Sequence, residues 1–161
     1  FTDITYLTCG EGDMFLCAIR DGHSRRVLGH ALDDHYGAAL VVQTIEAAVA
    51  ARGGRCEGTV LHSDRGGEFT AGDTGKACQA YGLRRSMGET GICWDNSPAE
   101  SYWSTFKHEC YYRHTFATKA ELTAAVDNWT YFYNTERRHS AIGMLSPIRY
   151  EQSLTEAAEA A

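Results

Sequence analysis

At 161 residues the chain suits a single domain, because two would each fall short of a sizeable core. Apolar residues at 43% and charged residues at 22% are ordinary for a globular protein, two prolines exclude a Pro-rich linker, and no apolar run approaches the ~20 residues that cross a bilayer. A net charge of -6, from 15 Lys and Arg against 21 Asp and Glu, argues against a nucleic-acid partner unless some of the acid is placed to bind metal, which reverses the local sign.

The chain opens FTDITYL, inside a strand-like segment with no basic-then-apolar leader, and so reads as a fragment with a part upstream. Extended segments are predicted at Ile4 to Cys9, Met14 to Arg20 and Arg26 to Leu32, with Gly10, Gly12 and Gly22 in the turns of an antiparallel meander. Met14 to Ile19 is apolar on both faces and is expected to be a central, covered strand. Leu40, Val41, Ile45, Ala48 and Val49 recur at helical spacing until Gly53-Gly54. A strand at Thr59 to His62 leads into the loop SDRGGEF; a helix over Gly75 to Tyr81 and a strand over Leu83 to Met87 follow. After the turn-prone stretch GETGICWDN, Ser97 opens a helix with Pro98 at its first position. Thr118 opens another, with Glu121 three residues on as a capping box and Leu122, Val126, Trp129 and Tyr133 as its buried stripe.

The order β-β-β-α-β-α-β-α-α describes an α/β fold of ribonuclease-H-like type, a five-stranded mixed sheet flanked by helices. One core over residues 1–151 is expected, followed by an acidic, Ala-rich tail over 152–161. Six cysteines show neither a C-x-x-C pair nor zinc-finger spacing and read as buried reduced thiols. His62 lies two residues before Asp64, but no second His or Cys completes a zinc set.

Among the acids, those at strand ends and helix starts have the best chance of converging. Asp3 begins the first strand, Asp64 follows the fourth, and Glu100 lies in the first turn of the third helix. If strands one and four are neighbours, a helix packed across them adds the third carboxylate. Crowded carboxylates repel one another; hard Mg²⁺ or Mn²⁺ resolves this, and two such ions suit in-line phosphoryl transfer. Each acid also has a plainer role open to it. Asp3 fits a solvated strand end, Asp64 an Asx-turn before the glycines, and Glu100 the fourth position of a Ser97-x-x-Glu capping box.

The surrounding motifs resemble a known family. TDITYL around Asp3, DGHSRRVLGHAL from Asp21, HSDRGGEFT around Asp64, SMGETGICWDNSPAESYWSTFKHE through Glu100 and YFYNTERRHSAIGMLSPIRYE to Glu151 are similar to the catalytic half of bacterial insertion-sequence transposases, OrfB type of the insertion-sequence-three family. That group carries a DDE core related to retroviral integrases. Thirty-five residues separate Asp64 from Glu100, the interval that the group shows between its second and third acids. The resemblance implies that Asp3, Asp64 and Glu100 are the catalytic, metal-binding triad, with Asp3 bridging two Mg²⁺ or Mn²⁺ ions. It further implies a phosphate contact at Lys107, seven positions after Glu100 and on the same helix face. Trp94, Asn96, Arg137 and Arg138 are further candidate DNA contacts.

The implied activity is DNA cleavage at insertion-sequence ends and strand transfer. The implied setting is DNA as partner, self-association on DNA, no membrane, and a cytoplasmic, nucleoid-associated bacterial location. A nuclease of the same fold without strand transfer and a non-catalytic domesticated DNA-binding core are the alternatives. Two departures from the family stand out: Glu68 where a neutral residue such as Gln is usual, and Arg20 where an apolar residue is usual. Glu68 is a fourth acid, either modulating metal or facing solvent.

Overall fold

Alternation of apolar side chains sets the first three strands. In β1 (Thr2–Cys9) Leu7 and Cys9 point one way, and in β2 (Gly12–Arg20) Leu16 and Ala18 share that side while Cys17 and Ile19 take the other. Having two apolar faces, β2 takes the centre of an antiparallel sheet with β1 on one edge and β3 (Val27–Asp33) on the other, as its composition predicts. The computed structural model describes residues 1–88 and 97–160.

Each face of this sheet is covered. One face packs on α4 (Ser97–Glu109) and α5 (Lys119–Thr135), where Trp103, Phe106, Leu122, Val126, Trp129 and Tyr133 meet Leu7 and Leu16. The other packs on α1 (Ala38–Ala51), whose Leu40, Val41, Ile45, Ala48 and Val49 form the predicted stripe. Gly29 of β3 lets α1 approach closely: a Cβ there would stand 2.6 Å from the Ala48 nitrogen and 2.7 Å from the Thr44 oxygen. The α5 capping box forms as read from the sequence. The Thr118 hydroxyl accepts from the Glu121 amide at 3.1 Å, and the Glu121 carboxylate accepts from the Thr118 amide at 3.3 Å.

β4 (Val60–Ser63) and β5 (Arg84–Met87) pair in parallel, bridged by the short α2 (Gly67–Thr70) and by α3 (Gly72–Ala80). Here the single five-stranded sheet is corrected: the described strands form one sheet of three and a second of two. β4 lies alongside β1, but the seam is made by side chains, with the Phe1 and His62 rings edge to face at 5.5 Å, rather than by a backbone ladder. Four residues give β4 little edge to pair, and Val60 at its start is 51% exposed.

A further helix, α6 (Pro147–Glu159), starts with Pro in its first turn and runs through the expected boundary at residue 151, so the acidic tail continues a helix. A charged clasp fastens it. Glu151 accepts from the Ser24 hydroxyl at 2.7 Å, Arg26 at 2.7 Å and Arg52 at 2.6 Å, and Arg52 reaches Asp21 at 3.2 Å. Burial pushes the Glu151 carboxyl upward, but these donors more than offset it and hold the group below its usual range. The clasp joins the DGHSRR turn to the PIRYE segment, two motifs far apart in the chain. Cys9, Cys17, Cys56, Cys78 and Cys110 are free thiols, and no described helix is long and apolar enough to cross a membrane.

Candidate active site

Asp3 has the same parity on β1 as Leu7, so its side chain is directed to the α4 face. One carboxylate oxygen accepts from the Ile4 amide at 2.9 Å; the other accepts from the Trp103 indole N–H at 3.1 Å. Burial raises the Asp3 pKa from 3.8 to about 6, and the nearby charges of Asp64 and Glu100 push it the same way against the two hydrogen bonds. Asp64 follows β4 directly and accepts from the Gly66 amide at 2.9 Å, the Asx-turn that its sequence context suggests. Glu100 sits exposed in the first turn of α4. The fold therefore brings the three acids to one place from β1, the end of β4 and α4, and among the described residues none of them has an ion pair.

The three stand apart rather than in contact. The one described group of His, Cys, Asp or Glu with ligand atoms all within 4.8 Å of one another is Asp33, Asp34 and His35. That group is a weaker metal candidate, because His35 and Lys119 already neutralise it: Lys119 bonds Asp34 at 2.7 Å and His35 bonds Asp33 at 3.2 Å. As a donor set Asp3, Asp64 and Glu100 are all oxygen, anionic and free of cationic partners, which fits a hard divalent cation.

Two more residues border the site. Glu68 is 7% exposed, with its carboxylate folded over Gly66 in the turn after Asp64, so the solvent-facing option is excluded. Tyr36, in the loop between β3 and α1, lies beside Glu68. Burial first, then Glu68, Asp64 and Asp3, push the Tyr36 pKa up. Nothing local in DDHYG marks Tyr36. Trp103 is 7% exposed and engaged with Asp3, and Tyr102 is buried among aromatic rings, so neither ring is open for base stacking.

The expected DNA contacts divide. Lys107 lies half-exposed on α4 with no ion pair among the described residues. Arg137 is engaged: its guanidinium grips Glu109 by contacts of 2.6 to 3.0 Å and lies 5.8 Å from the Tyr133 ring centroid, so it serves the fold before any phosphate. Arg138 is exposed. Trp94 and Asn96 lie outside the described residues.

Comparison with known proteins places the chain in a family. Two family models, both described as integrase core domains, match residues 1–93 and 81–147. The transposase InsF for insertion sequence IS3A of Escherichia coli (strain K12) is 35% identical over 150 residues, covering 92% of this chain and 52% of that protein. The chain thus spans about half the length of the curated relatives it matches. In fold it is similar to a chain of the simian T-cell lymphotropic virus intasome in complex with PP2A regulatory subunit B56 gamma, with a TM-score of 0.77 at 14% identity, covering 92% of this chain and 52% of that one. The HTLV-2 integrase catalytic core domain in complex with magnesium gives 0.60 at 14% identity, covering 91% and 89%.

Proposed function

The chain belongs to the integrase core domain family, and on that premise we propose that it is the catalytic core of an insertion-sequence transposase that cleaves DNA at element ends and transfers the strand. One observation carries the proposal: Asp3 of β1, Asp64 after β4 and Glu100 of α4 lie near enough for the charges of the latter two to help burial raise the Asp3 pKa to about 6, and none of the three has an ion pair among the described residues.

Asp3, Asp64 and Glu100 would hold Mg²⁺ or Mn²⁺, two ions being what the resemblance implies. Bound there, the ions supply charge stabilisation and an activated oxygen for in-line displacement at phosphorus. The protein's own part is positional. Trp103 and the Ile4 amide fix the two Asp3 oxygens, the Gly66 amide fixes Asp64, and the buried Glu68 carboxylate lies against the turn that carries it. In the first step a water oxygen attacks phosphorus and the P–O3′ bond breaks, leaving a free 3′-OH and a 5′-phosphate. In the second, that 3′-OH attacks another phosphodiester, whose own 3′ oxygen leaves, so one phosphodiester is exchanged for another. No covalent protein–DNA intermediate is formed. DNA is the partner, and two ends held together call for self-association.

Supplying pre-cleaved ends separates this reading from a nuclease, which hydrolyses DNA but yields no joined product. The Asp3→Asn variant separates it from a non-catalytic DNA-binding core: joining is lost if Asp3 is catalytic. Undiminished joining by Asp3→Asn overturns the assignment.

A further inference from the structure

On the flank of α4 next to the acid pocket lies a hollow of about 390 Å³ with the opposite character. Ser101 and Thr105 of α4, Arg25 of the β2–β3 turn, and Arg137, Arg138 and His139 after α5 line it, and no acid does. Resting on the reading above, we propose that this hollow is a phosphodiester-binding subsite that holds the DNA backbone beside the scissile phosphate.

The arginines in it have two different roles. Arg137 is bound by Glu109 on both edges of the carboxylate, and it donates to the His139 Nδ1 at 3.2 Å. That bond makes Nδ1 an acceptor and puts the ring proton on Nε2, a buried atom with no hydrogen-bond partner among the described residues. Burial, together with Arg137, Arg20 and Arg25, lowers the His139 pKa to about 4, so the ring is a neutral donor at pH 7. Arg25 and Arg138, by contrast, have no ion pair or side-chain hydrogen bond among the described residues. Arg25 also holds a left-handed backbone, with φ of 67°, which costs a non-glycine residue about 1 kcal/mol or more. The hollow thus presents the guanidinium groups of Arg25 and Arg138 with no acidic partner, while the His139 Nε2–H is itself buried. An acid-free lining with two guanidinium groups left without ion pairs matches a phosphate, and guanidinium suits it best.

Continuity with the acid pocket identifies the source of the phosphate. Ser101 follows Glu100 directly, so the two sites occupy neighbouring flanks of one helical turn. Successive phosphates of a strand rise by ~3.4 Å along the duplex, so a strand with its reacting phosphate at Glu100 carries its neighbours past Ser101. With an overall charge of -6, a local, acid-free patch favours holding DNA there.

The test is the salt dependence of binding to a short duplex of arbitrary sequence, measured on the full chain. Each phosphate contact adds roughly 0.9 to the slope of log K against log salt, so Arg25→Gln/Arg138→Gln is expected to flatten it by about 0.9 to 1.8. Arg149→Gln, an exposed arginine on α6, serves as the control and leaves the slope at the wild-type value. Arg138→Gln alone, at an exposed position that does not threaten folding, gives part of the same flattening. A wild-type slope in the double variant overturns the subsite, as does a change in self-association without a change in slope, which would identify an acidic surface of a second copy as the occupant. Asp3→Asn in the joining assay keeps the two readings apart. Joining that depends on Asp3 with an unchanged slope removes the hollow alone; a flattened slope with joining indifferent to Asp3 removes the catalytic reading alone.

Discussion

The Asp3–Asp64–Glu100 pocket and the Glu151 clasp both gather acidic side chains from segments far apart in the chain, yet only the clasp supplies arginines to meet them. Glu151 has Arg26 and Arg52, and Asp21 has Arg52 besides the Ser24 and His23 amides. Despite burial, both carboxyls are held below their ordinary range. Asp3, pushed up first by burial and then by two like charges, with only two neutral donors against them, stands at about 6. Residue type is the same in both places; the sign of the surroundings separates a structural fastening from a site left in need of a cation. Glu109 with Arg137 belongs with the clasp, and the hydrogen bonds from Arg137 hold the Glu109 carboxyl low.

The largest effect expected is that of Asp3→Asn, a loss on the order of 10³-fold or more in cleavage and joining. The same change relieves repulsion, so the metal-free variant should melt higher than the wild type, by about 2–4 °C for each kcal/mol gained. A lower melting temperature would show that Asp3 is a structural acid like Glu151. Glu151→Ala should do the reverse. It removes hydrogen bonds from three donors, two of them charged, and should cost about 2 kcal/mol, with activity per folded molecule retained. Urea titration beside a single-turnover assay checks both halves.

The two regions should also respond to pH with opposite signs. The folded pKa of Asp3, about 6, lies above its unfolded value of 3.8, so the folded state binds more protons and stability falls as pH rises through that interval. The folded pKa of Glu151 lies below the ordinary 4.5, so its contribution is present above that value and is lost as the medium turns more acid. The melting-temperature gap between wild type and Asp3→Asn, taken without metal, should therefore widen from pH 4 to pH 6; a constant gap contradicts the burial and repulsion assigned to Asp3. The smallest effect is that of Trp103→Phe. It removes one hydrogen bond from Asp3, and the expected outcome is a half-saturating Mg²⁺ concentration raised a few-fold, on the order of 0.5–1.5 kcal/mol, with little change at saturating metal.

Local chemistry was legible wherever it acts over a few residues. The Thr118 and Glu121 capping box, the central place of β2 and the apolar stripe of α1 all follow from spacing. The three acids were legible as candidates because strand ends and helix starts are few, and the motifs around them resemble a known family. Tyr36 on Glu68, the Trp103 bond to Asp3 and the capture of Arg137 by Glu109 were not legible, since each links side chains whose meeting depends on how helices and loops pack. The extension of α6 past residue 151 was not legible for another reason: only Pro147 of this helix is buried, so it continues without a run of core positions to mark it.

By itself the sequence determined which elements form and which acids could meet, because backbone propensity and apolar periodicity are properties of neighbours in the chain. Only the tertiary structure decided which charges remain uncompensated. Arg26, Arg52 and Arg137 are consumed by Glu151, Asp21 and Glu109, whereas Asp3, Asp64 and Glu100 have no ion pair among the described residues. Coulomb energy depends on separation in space and on burial, and neither can be read from order along the chain.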